Sequence, residues 1–133
     1  MSNKAILCVD DETIVLLSLR DQITRHFGSR YRYEMAESAD EAWEIIEELS
    51  NIGVKILIIV ADWLMPGIRG DELLIQVHQR FPQIVTVLLT GHADEAAVER
   101  ARQQANLHAC IAKPWEEGNL IQIIQSGLEQ FDD

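Results

Sequence analysis

Five reactive side chains stand where four short apolar runs of the sequence end. Carboxylates suit a divalent cation, and a hydroxyl and an ammonium suit the oxygens of a phosphoryl group. The five are Asp10 and Asp11 after the run 5–9, Asp62 after 56–61, Thr90 after 84–89, and Lys113 after 109–112. Together these residue types predict a site that handles a phosphoryl group.

The apolar runs alternate with segments of helical spacing, which is typical of βαβ units. They predict a flavodoxin-like α/β fold: a doubly wound, five-stranded parallel sheet of order 2-1-3-4-5 with five helices. Because the carboxyl ends of parallel strands lie along one edge, we expect the reactive side chains to converge there. Residues 31–36 are predicted to form an edge strand. The predicted helices are 13–27, one opened by a capping box of Ser38 and Glu41, one that begins at Asp71 and is stopped by Pro82, one capped by Asp94, and 117–131.

The composition predicts a single globular, cytoplasmic domain over residues 1–133. The longest purely apolar stretch, 56–61, is far short of the roughly 20 residues that span a bilayer, and no signal peptide pattern precedes the first strand, so no membrane partner is expected. A net charge of −11 repels nucleic acid phosphates and argues against direct DNA or RNA binding. Cys8 and Cys110 lie inside apolar runs, where free thiols are usually buried.

Asp62 is the best candidate for a nucleophile, since the predicted order places it centrally, beside the strand that carries Asp10 and Asp11. Such a group of like charges is costly unless a cation or a proton compensates it, and Mg²⁺ favours oxygen ligands of this kind. A plainer interpretation stays open for each residue alone. Asp10 or Asp11 would cap the first helix, and Thr90 and Lys113 would be an ordinary turn residue and an exposed strand end.

The ordered set of these residues resembles the response regulator receiver domain, the phosphoacceptor module of two-component signalling. The resemblance covers almost the whole chain, and it rests on Asp10-Asp11-Glu12, on Asp62 with Met65-Pro66-Gly67, on Thr90 and on Lys113-Pro114. It implies that Asp62 is phosphorylated. It further implies that Asp11 binds Mg²⁺ directly, that Asp10 binds it through a water molecule, and that the backbone carbonyl of Leu64 is a third protein ligand. It also implies that Thr90 and Lys113 bind the phosphoryl group.

The same resemblance implies partners and a readout. A sensor histidine kinase or a phosphotransfer protein would donate the phosphoryl group, and the face of the fourth helix, fifth strand and fifth helix would bind an unknown downstream protein or pair as a phosphorylation-dependent homodimer. The chemistry would be intrinsic autophosphorylation and autodephosphorylation, without a metabolic activity. Gly91 would leave the phosphoryl pocket open to water, and His92 and Leu64 would flank the approach path. Gly91 and His92 would thereby tune the lifetime of the phosphoryl group. Cys110 departs from the family, which usually has Tyr or Phe there as a reporter of phosphorylation.

Several alternatives remain beside this hypothesis. A haloacid dehalogenase-like phosphohydrolase is disfavoured because Asp10-Asp11-Glu12 lacks the DxD spacing, and a flavodoxin is disfavoured because no phosphate cradle follows Val9. The chain would otherwise be the receiver fragment of a larger multidomain regulator or hybrid kinase, or a scaffold that keeps the fold without accepting phosphate.

Overall fold

Strands and helices alternate along the chain, as the sequence predicts. The computed structural model describes residues 2–91 and 95–131. The strands are β1 Lys4–Val9, β2 Arg32–Ala36, β3 Lys55–Asp62, β4 Val85–Thr90 and β5 Ala109–Ala112. The helices are α1 Thr13–Phe27, α2 Ala39–Asn51, α3 Gly70–Arg80, α4 Glu95–Gln104 and α5 Glu117–Leu128, with short 3₁₀ turns at Gly28–Arg30 and Glu129–Phe131.

All of the strands are parallel and form one sheet in the order β2-β1-β3-β4-β5, which confirms the predicted topology. The register of the strand pairing places the carboxyl ends of β3, β4 and β5 at the same height along the sheet edge. Asp62 pairs with Leu89, and Thr90 pairs with Ala112. The reactive residues therefore start from neighbouring points on one edge of the sheet.

The sheet is covered on both faces, so its central strands alternate between two apolar layers. In β3, Ile59 and Ala61 face the layer that α2 and α3 complete, and Ile58 and Val60 face the layer that α1 and α5 complete. Every residue of β3 after Lys55 is buried. This continuous burial explains why the run is apolar throughout rather than alternating.

The helix boundaries follow local signals with small corrections. The capping box is present, since Ser38 Oγ accepts a hydrogen bond from the Glu41 backbone N–H at 3.1 Å. Helix α3 begins at Gly70 rather than at Asp71. The last α-helix ends at Leu128, and the predicted continuation is the 3₁₀ turn Glu129–Phe131. The predicted cap residue Asp94 lies outside the described residues. None of the described helices is long and apolar enough to cross a membrane.

Candidate functional site

Three aspartates converge at the carboxyl edge of the sheet. Asp62 is the last residue of β3, and Asp10 and Asp11 follow the neighbouring strand β1. One carboxylate oxygen from each of the three lies within 4.8 Å of the others. Asp10 and Asp62 are buried, with 0% and 5% of their surface exposed, whereas Asp11 is exposed. The cluster thus consists of two buried carboxylates and one that is open to solvent.

The Lys113 ammonium bridges the two buried carboxylates. Its Nζ lies 2.9 Å from Asp10 Oδ2 and 2.9 Å from Asp62 Oδ1. Its backbone N–H donates to the Thr90 carbonyl oxygen at 2.6 Å, which extends the pairing of β5 with β4. A single ammonium thereby compensates two buried carboxylates at the sheet edge.

Asp10 has a second contact that organises the loop after β1. Its Oδ1 accepts a hydrogen bond from the Glu12 backbone N–H at 2.8 Å. Helix α1 begins at Thr13 with Glu12 as its N-cap residue and without a side-chain capping bond. The plainer interpretation of Asp10 as a simple helix cap is therefore wrong. Its two oxygens serve the loop and Lys113, as expected for a buried carboxylate that must be compensated.

The electrostatics of the site favour an additional positive charge. Burial raises the pKa of the Asp62 carboxyl, and repulsion by Asp10 and Asp11 adds to this, against the opposing effect of Lys113. Burial alone would lower the pKa of Lys113, but its hydrogen bonds to Asp62 and Asp10 outweigh burial and raise it. Three carboxylates facing one ammonium leave an excess of negative charge, which a divalent cation or a proton relieves.

The loop after Asp62 is tightly fixed. The Trp63 N–H donates to the Leu89 carbonyl oxygen at 2.8 Å, and the Trp63 carbonyl oxygen accepts from the Gly70 N–H at 2.8 Å. Met65 is buried in the core, and Leu64 between them has an exposed side chain. The residue whose carbonyl is expected to bind a metal is thus held between two anchored neighbours.

Gly70 is required at the closure of this loop. A β-carbon added there would overlap the Asp62 carbonyl oxygen and would lie 3.2 Å from Trp63 Cα. Any side chain at this position would therefore push α3 away from the end of β3. The absence of a side chain at Gly70 sets how closely α3 approaches the nucleophile candidate.

The remaining predicted residues surround this centre. Thr90, the last residue of β4, is buried and stands beside β3, whereas Gly91 is exposed and a β-carbon there would meet nothing within 4 Å. His92 lies outside the described residues. Cys110 lies in β5 and is partly exposed, which corrects the expectation that it is buried. Cys8 is fully buried, as expected.

One ionic cluster beside the site was missed by the sequence analysis. The carboxylate of Asp71, in the first turn of α3, is fully buried, and it contacts Arg69 and Arg100. An acid in the first turn of a helix is so common that it gives no signal of burial. The partner on α4 is brought near only by the tertiary fold.

Known proteins resemble this chain over nearly its full length. The family model described as the response regulator receiver domain matches residues 6–125. The hydrogenase transcriptional regulatory protein HoxA of Cupriavidus necator is 30% identical over 131 residues, which are 97% of this chain and 25% of HoxA. The phosphoglycerate transport system transcriptional regulatory protein PgtA of Salmonella typhimurium is 30% identical, with 95% of this chain and 28% of PgtA covered.

Solved structures agree with these sequence matches. The crystal structure of a CheY-like response regulator receiver domain protein from Methanospirillum hungatei has a TM-score of 0.83 at 28% identity, and the match covers 96% of this chain and 94% of that one. The signal receiver domain of an HD domain-containing protein from Pseudomonas fluorescens has a TM-score of 0.84 at 23% identity, with 96% and 95% covered, and supports the fold alone. The chain spans about a quarter of the length of HoxA and of PgtA.

Proposed function

We propose that this chain, which belongs to the response regulator receiver domain family, is a phosphorylation-dependent switch in which Asp62 accepts the phosphoryl group. Receiver domains are signalling modules of two-component systems rather than classical enzymes. The observation that carries the proposal is the position of the Lys113 ammonium, 2.9 Å from the Asp62 carboxylate and 2.9 Å from Asp10. A nucleophilic carboxylate beside a fixed cation is what phosphoryl transfer requires, because positioning and charge neutralisation supply most of the catalysis.

The proposed donor is a phosphohistidine of a sensor histidine kinase or a phosphotransfer protein. A carboxylate oxygen of Asp62 attacks the phosphorus and forms a P–O bond while the P–N bond to the donor imidazole breaks. The donor nitrogen keeps the electron pair and takes a proton from solvent. Lys113 then pairs with a phosphoryl oxygen instead of with Asp62 alone, and the Thr90 hydroxyl donates a hydrogen bond to another.

The carboxylates fit a magnesium ion. Asp10, Asp11, Asp62 and the Leu64 carbonyl would hold Mg²⁺, which supplies positive charge to the phosphoryl oxygens in the transition state. One carboxylate oxygen from each aspartate lies within 4.8 Å of the others, which is close enough for the three to share one cation. Asp10 would act through a water molecule, since its two oxygens already accept from the Glu12 N–H and from Lys113.

The phosphoryl group would be lost again by hydrolysis. Water attacks the phosphorus, the P–O bond to Asp62 breaks, and the carboxylate leaves with the electron pair. Gly91 offers no side chain that blocks this approach, which favours a short lifetime. His92 remains a proposed tuning residue, through its place two residues after Thr90 in the sequence.

The proposed output is the face of α4, β5 and α5. Cys110 replaces the usual aromatic reporter on β5, so a smaller repacking around this partly exposed thiol would transmit the change. A downstream protein, or a second copy of the chain in a phosphorylation-dependent homodimer, would read it. The net charge of −11 disfavours direct contact of this domain with nucleic acid.

A scaffold that does not accept phosphate is the second candidate. Such a protein has no need to retain a bridging lysine over two buried carboxylates, and burying these charges is costly. The intact contacts of Lys113 with Asp10 and Asp62 therefore favour the switch.

Binding of beryllofluoride, a phosphoryl analogue, tests the proposal. Calorimetric titration with excess Mg²⁺ should give a single saturable site in the wild type and none in Asp62→Asn. Asp40→Asn, which removes an exposed charge from α2, should bind as the wild type does. Equal binding by the wild type and Asp62→Asn, or no binding by either, would remove Asp62 as the acceptor.

A further inference from the structure

We propose that Arg100 on α4 is a latch that couples this helix to the loop of the phosphoacceptor and is released when Asp62 is phosphorylated. The latch is the ionic cluster of Arg69, Asp71, Glu72 and Arg100. The inference rests on the proposed function and deepens it, because it names the contact through which α4 responds to the site.

The centre of the latch is the buried carboxylate of Asp71. Arg69 donates to it from Nε at 3.0 Å and from Nη2 at 3.1 Å, and Arg100 Nη1 approaches it to 3.6 Å from α4. The Asp71 side chain is 0% exposed, so its charge depends on these guanidinium groups. Its place in the first turn of α3 adds the favourable field of the helix N-terminus.

Arg100 also binds a second residue of α3. Its Nη2 donates to Glu72 Oε2 at 2.6 Å, so one guanidinium group holds two consecutive acidic residues of the neighbouring helix. A planar fork of this kind fixes geometry in a way that a single ammonium does not. Arg100 therefore joins α4 to two residues of α3 through a side chain that is 40% exposed.

Helix α4 has few apolar contacts with which to hold itself in place. Its buried residues among those described are Ala97 and Ala101, whereas α3 buries Leu73, Leu74 and Val77. Small side chains bury little apolar area and stabilise their position correspondingly little. Val98 is partly buried against the core, and the ion pairs of Arg100 add to this limited apolar attachment of α4.

The α3 side of the latch is joined directly to the phosphoacceptor. Gly70, the residue before Asp71, donates to the Trp63 carbonyl oxygen at 2.8 Å and packs against the Asp62 carbonyl so closely that no β-carbon fits. A shift of the backbone at Asp62 therefore displaces the first turn of α3. Because Asp71 and Glu72 move with that turn, the pairing with Arg100 changes as well.

The proposed direction of the effect links the Arg100 contacts to the pairing of Lys113 with Asp62. Lys113 pairs with the Asp62 carboxylate itself while Arg100 pairs with Asp71 and Glu72. In the proposed mechanism the closed latch belongs to this arrangement and the open latch to the phosphorylated form. A ligand that requires the released form binds with an affinity reduced by the fraction of molecules that are latched. Opening the latch by mutation should therefore strengthen the binding of a phosphoryl analogue.

The test compares Arg100→Ala with Arg102→Ala in the whole chain. Arg102 lies on the same helix and pairs at 3.7 Å with Glu99 of α4 rather than with α3, so its removal changes the charge equally and leaves the latch intact. We expect Arg100→Ala to bind beryllofluoride, with excess Mg²⁺, about fivefold more tightly than the wild type, and Arg102→Ala to be unchanged. Amide exchange across 95–104 without analogue should be faster in Arg100→Ala alone.

Glu72→Gln provides a second variant that leaves α4 untouched. It removes the 2.6 Å ion pair from the α3 side and should tighten analogue binding in the same direction. The double variant with Arg100→Ala should be no tighter than Arg100→Ala alone, since both changes open one contact. Arg100→Lys should restore part of the wild-type affinity.

The outcomes separate the latch from the proposed function. A purely structural role of Arg100 speeds amide exchange in α4 but leaves the analogue affinity at the wild-type value or weakens it, and that result would overturn the latch alone. Additive effects of Glu72→Gln and Arg100→Ala would also overturn it. A wild type that does not bind the analogue removes the proposed function, and the latch falls with it.

Discussion

The ammonium of Lys113 lies 2.9 Å from the carboxylate of Asp62, although the strands that carry the two residues are separated in the sheet by β4. The carboxyl ends of β3, β4 and β5 are aligned, so the Lys113 side chain reaches Asp62 by crossing only β4. The contact gives Lys113 two opposing effects. It stabilises the buried carboxylate, and it competes with any cation that binds there.

Replacement of Lys113 by Met should therefore change cation binding and phosphoryl binding in opposite directions. Mg²⁺ binding should strengthen by about tenfold, because a positive charge close to two of its carboxylates is removed. Binding of beryllofluoride should weaken by about tenfold or more, because the phosphoryl oxygens lose their cationic partner. Calorimetry with each ligand measures both effects.

Lys55→Met is the matched control for this experiment, since Lys55 is an exposed lysine at the opposite end of the sheet. Both affinities should be unchanged in that variant. If Lys113→Met weakened Mg²⁺ binding, the ammonium would support the cation site rather than compete with it, and the electrostatic account of the site would be wrong.

The raised pKa of Asp62 should make Mg²⁺ binding sensitive to acid. Below its folded-state pKa the carboxyl holds a proton that the cation must displace, so affinity should fall by up to about tenfold for each pH unit. The free energy of unfolding changes with pH in the opposite direction to the Mg²⁺ affinity. The native state binds this proton more readily than the unfolded chain does, so the contribution of Asp62 to stability decreases as the pH rises through that pKa.

Asp62→Asn should consequently unfold at a higher temperature than the wild type at neutral pH without metal. Added Mg²⁺ should then raise the melting temperature of the wild type more than that of the variant. Thermal unfolding monitored by circular dichroism, with and without Mg²⁺, measures both. A variant that is less stable than the wild type without metal would show that the Lys113 contact outweighs the burial of Asp62.

Gly70→Ala should destabilise the fold and impair the site together. The added methyl group overlaps the Asp62 carbonyl, and overpacking of this kind costs about 1 to 3 kcal/mol. Gly118→Ala is the control, because it lies in the first turn of α5 with nothing within 4 Å of the added carbon. That change should be neutral or stabilise by up to about 1 kcal/mol. Urea unfolding measures the stability, and equal stabilities of the two variants would contradict the tight closure at Gly70.

The two cysteines should differ sharply in reactivity. Burial, with a smaller contribution from Asp10, raises the pKa of the Cys8 thiol to about 12, whereas Cys110 is partly exposed. A maleimide probe should label Cys110 rapidly in the native protein and Cys8 only after denaturation. If β5 takes part in the switch, beryllofluoride with Mg²⁺ should change the labelling rate of Cys110. Labelling of both thiols at the same rate would contradict the packed core around β1.

The fold was predictable because its main signals are local. Uninterrupted apolar runs such as 56–61 predict strands that are buried on both faces, and the capping box at Ser38 predicts the start of α2. The end of α5 was less predictable. The sequence has no residue that stops a helix after Leu128, and the last turn of a helix is often 3₁₀.

The central site was predictable for a topological reason, since each of its residues lies at or just after the carboxyl end of a strand of one parallel sheet. The latch was not, because Asp71 and Arg100 are brought together by the packing of α3 against α4, which no local pattern in the sequence indicates. Cys110 shows the same limit. Its run is apolar, yet β5 is an edge strand, so the residue stays partly exposed.

Intact-mass spectrometry after incubation with acetyl phosphate and Mg²⁺ tests the central claim most directly. The wild type should gain the mass of a single phosphoryl group. Asp62→Asn should gain none, while Asp40→Asn should react as the wild type does. Omission of Mg²⁺ should suppress the adduct. An equal adduct on Asp62→Asn, or no adduct on a wild type that also fails to bind beryllofluoride, would contradict the assignment of Asp62 as the phosphoacceptor.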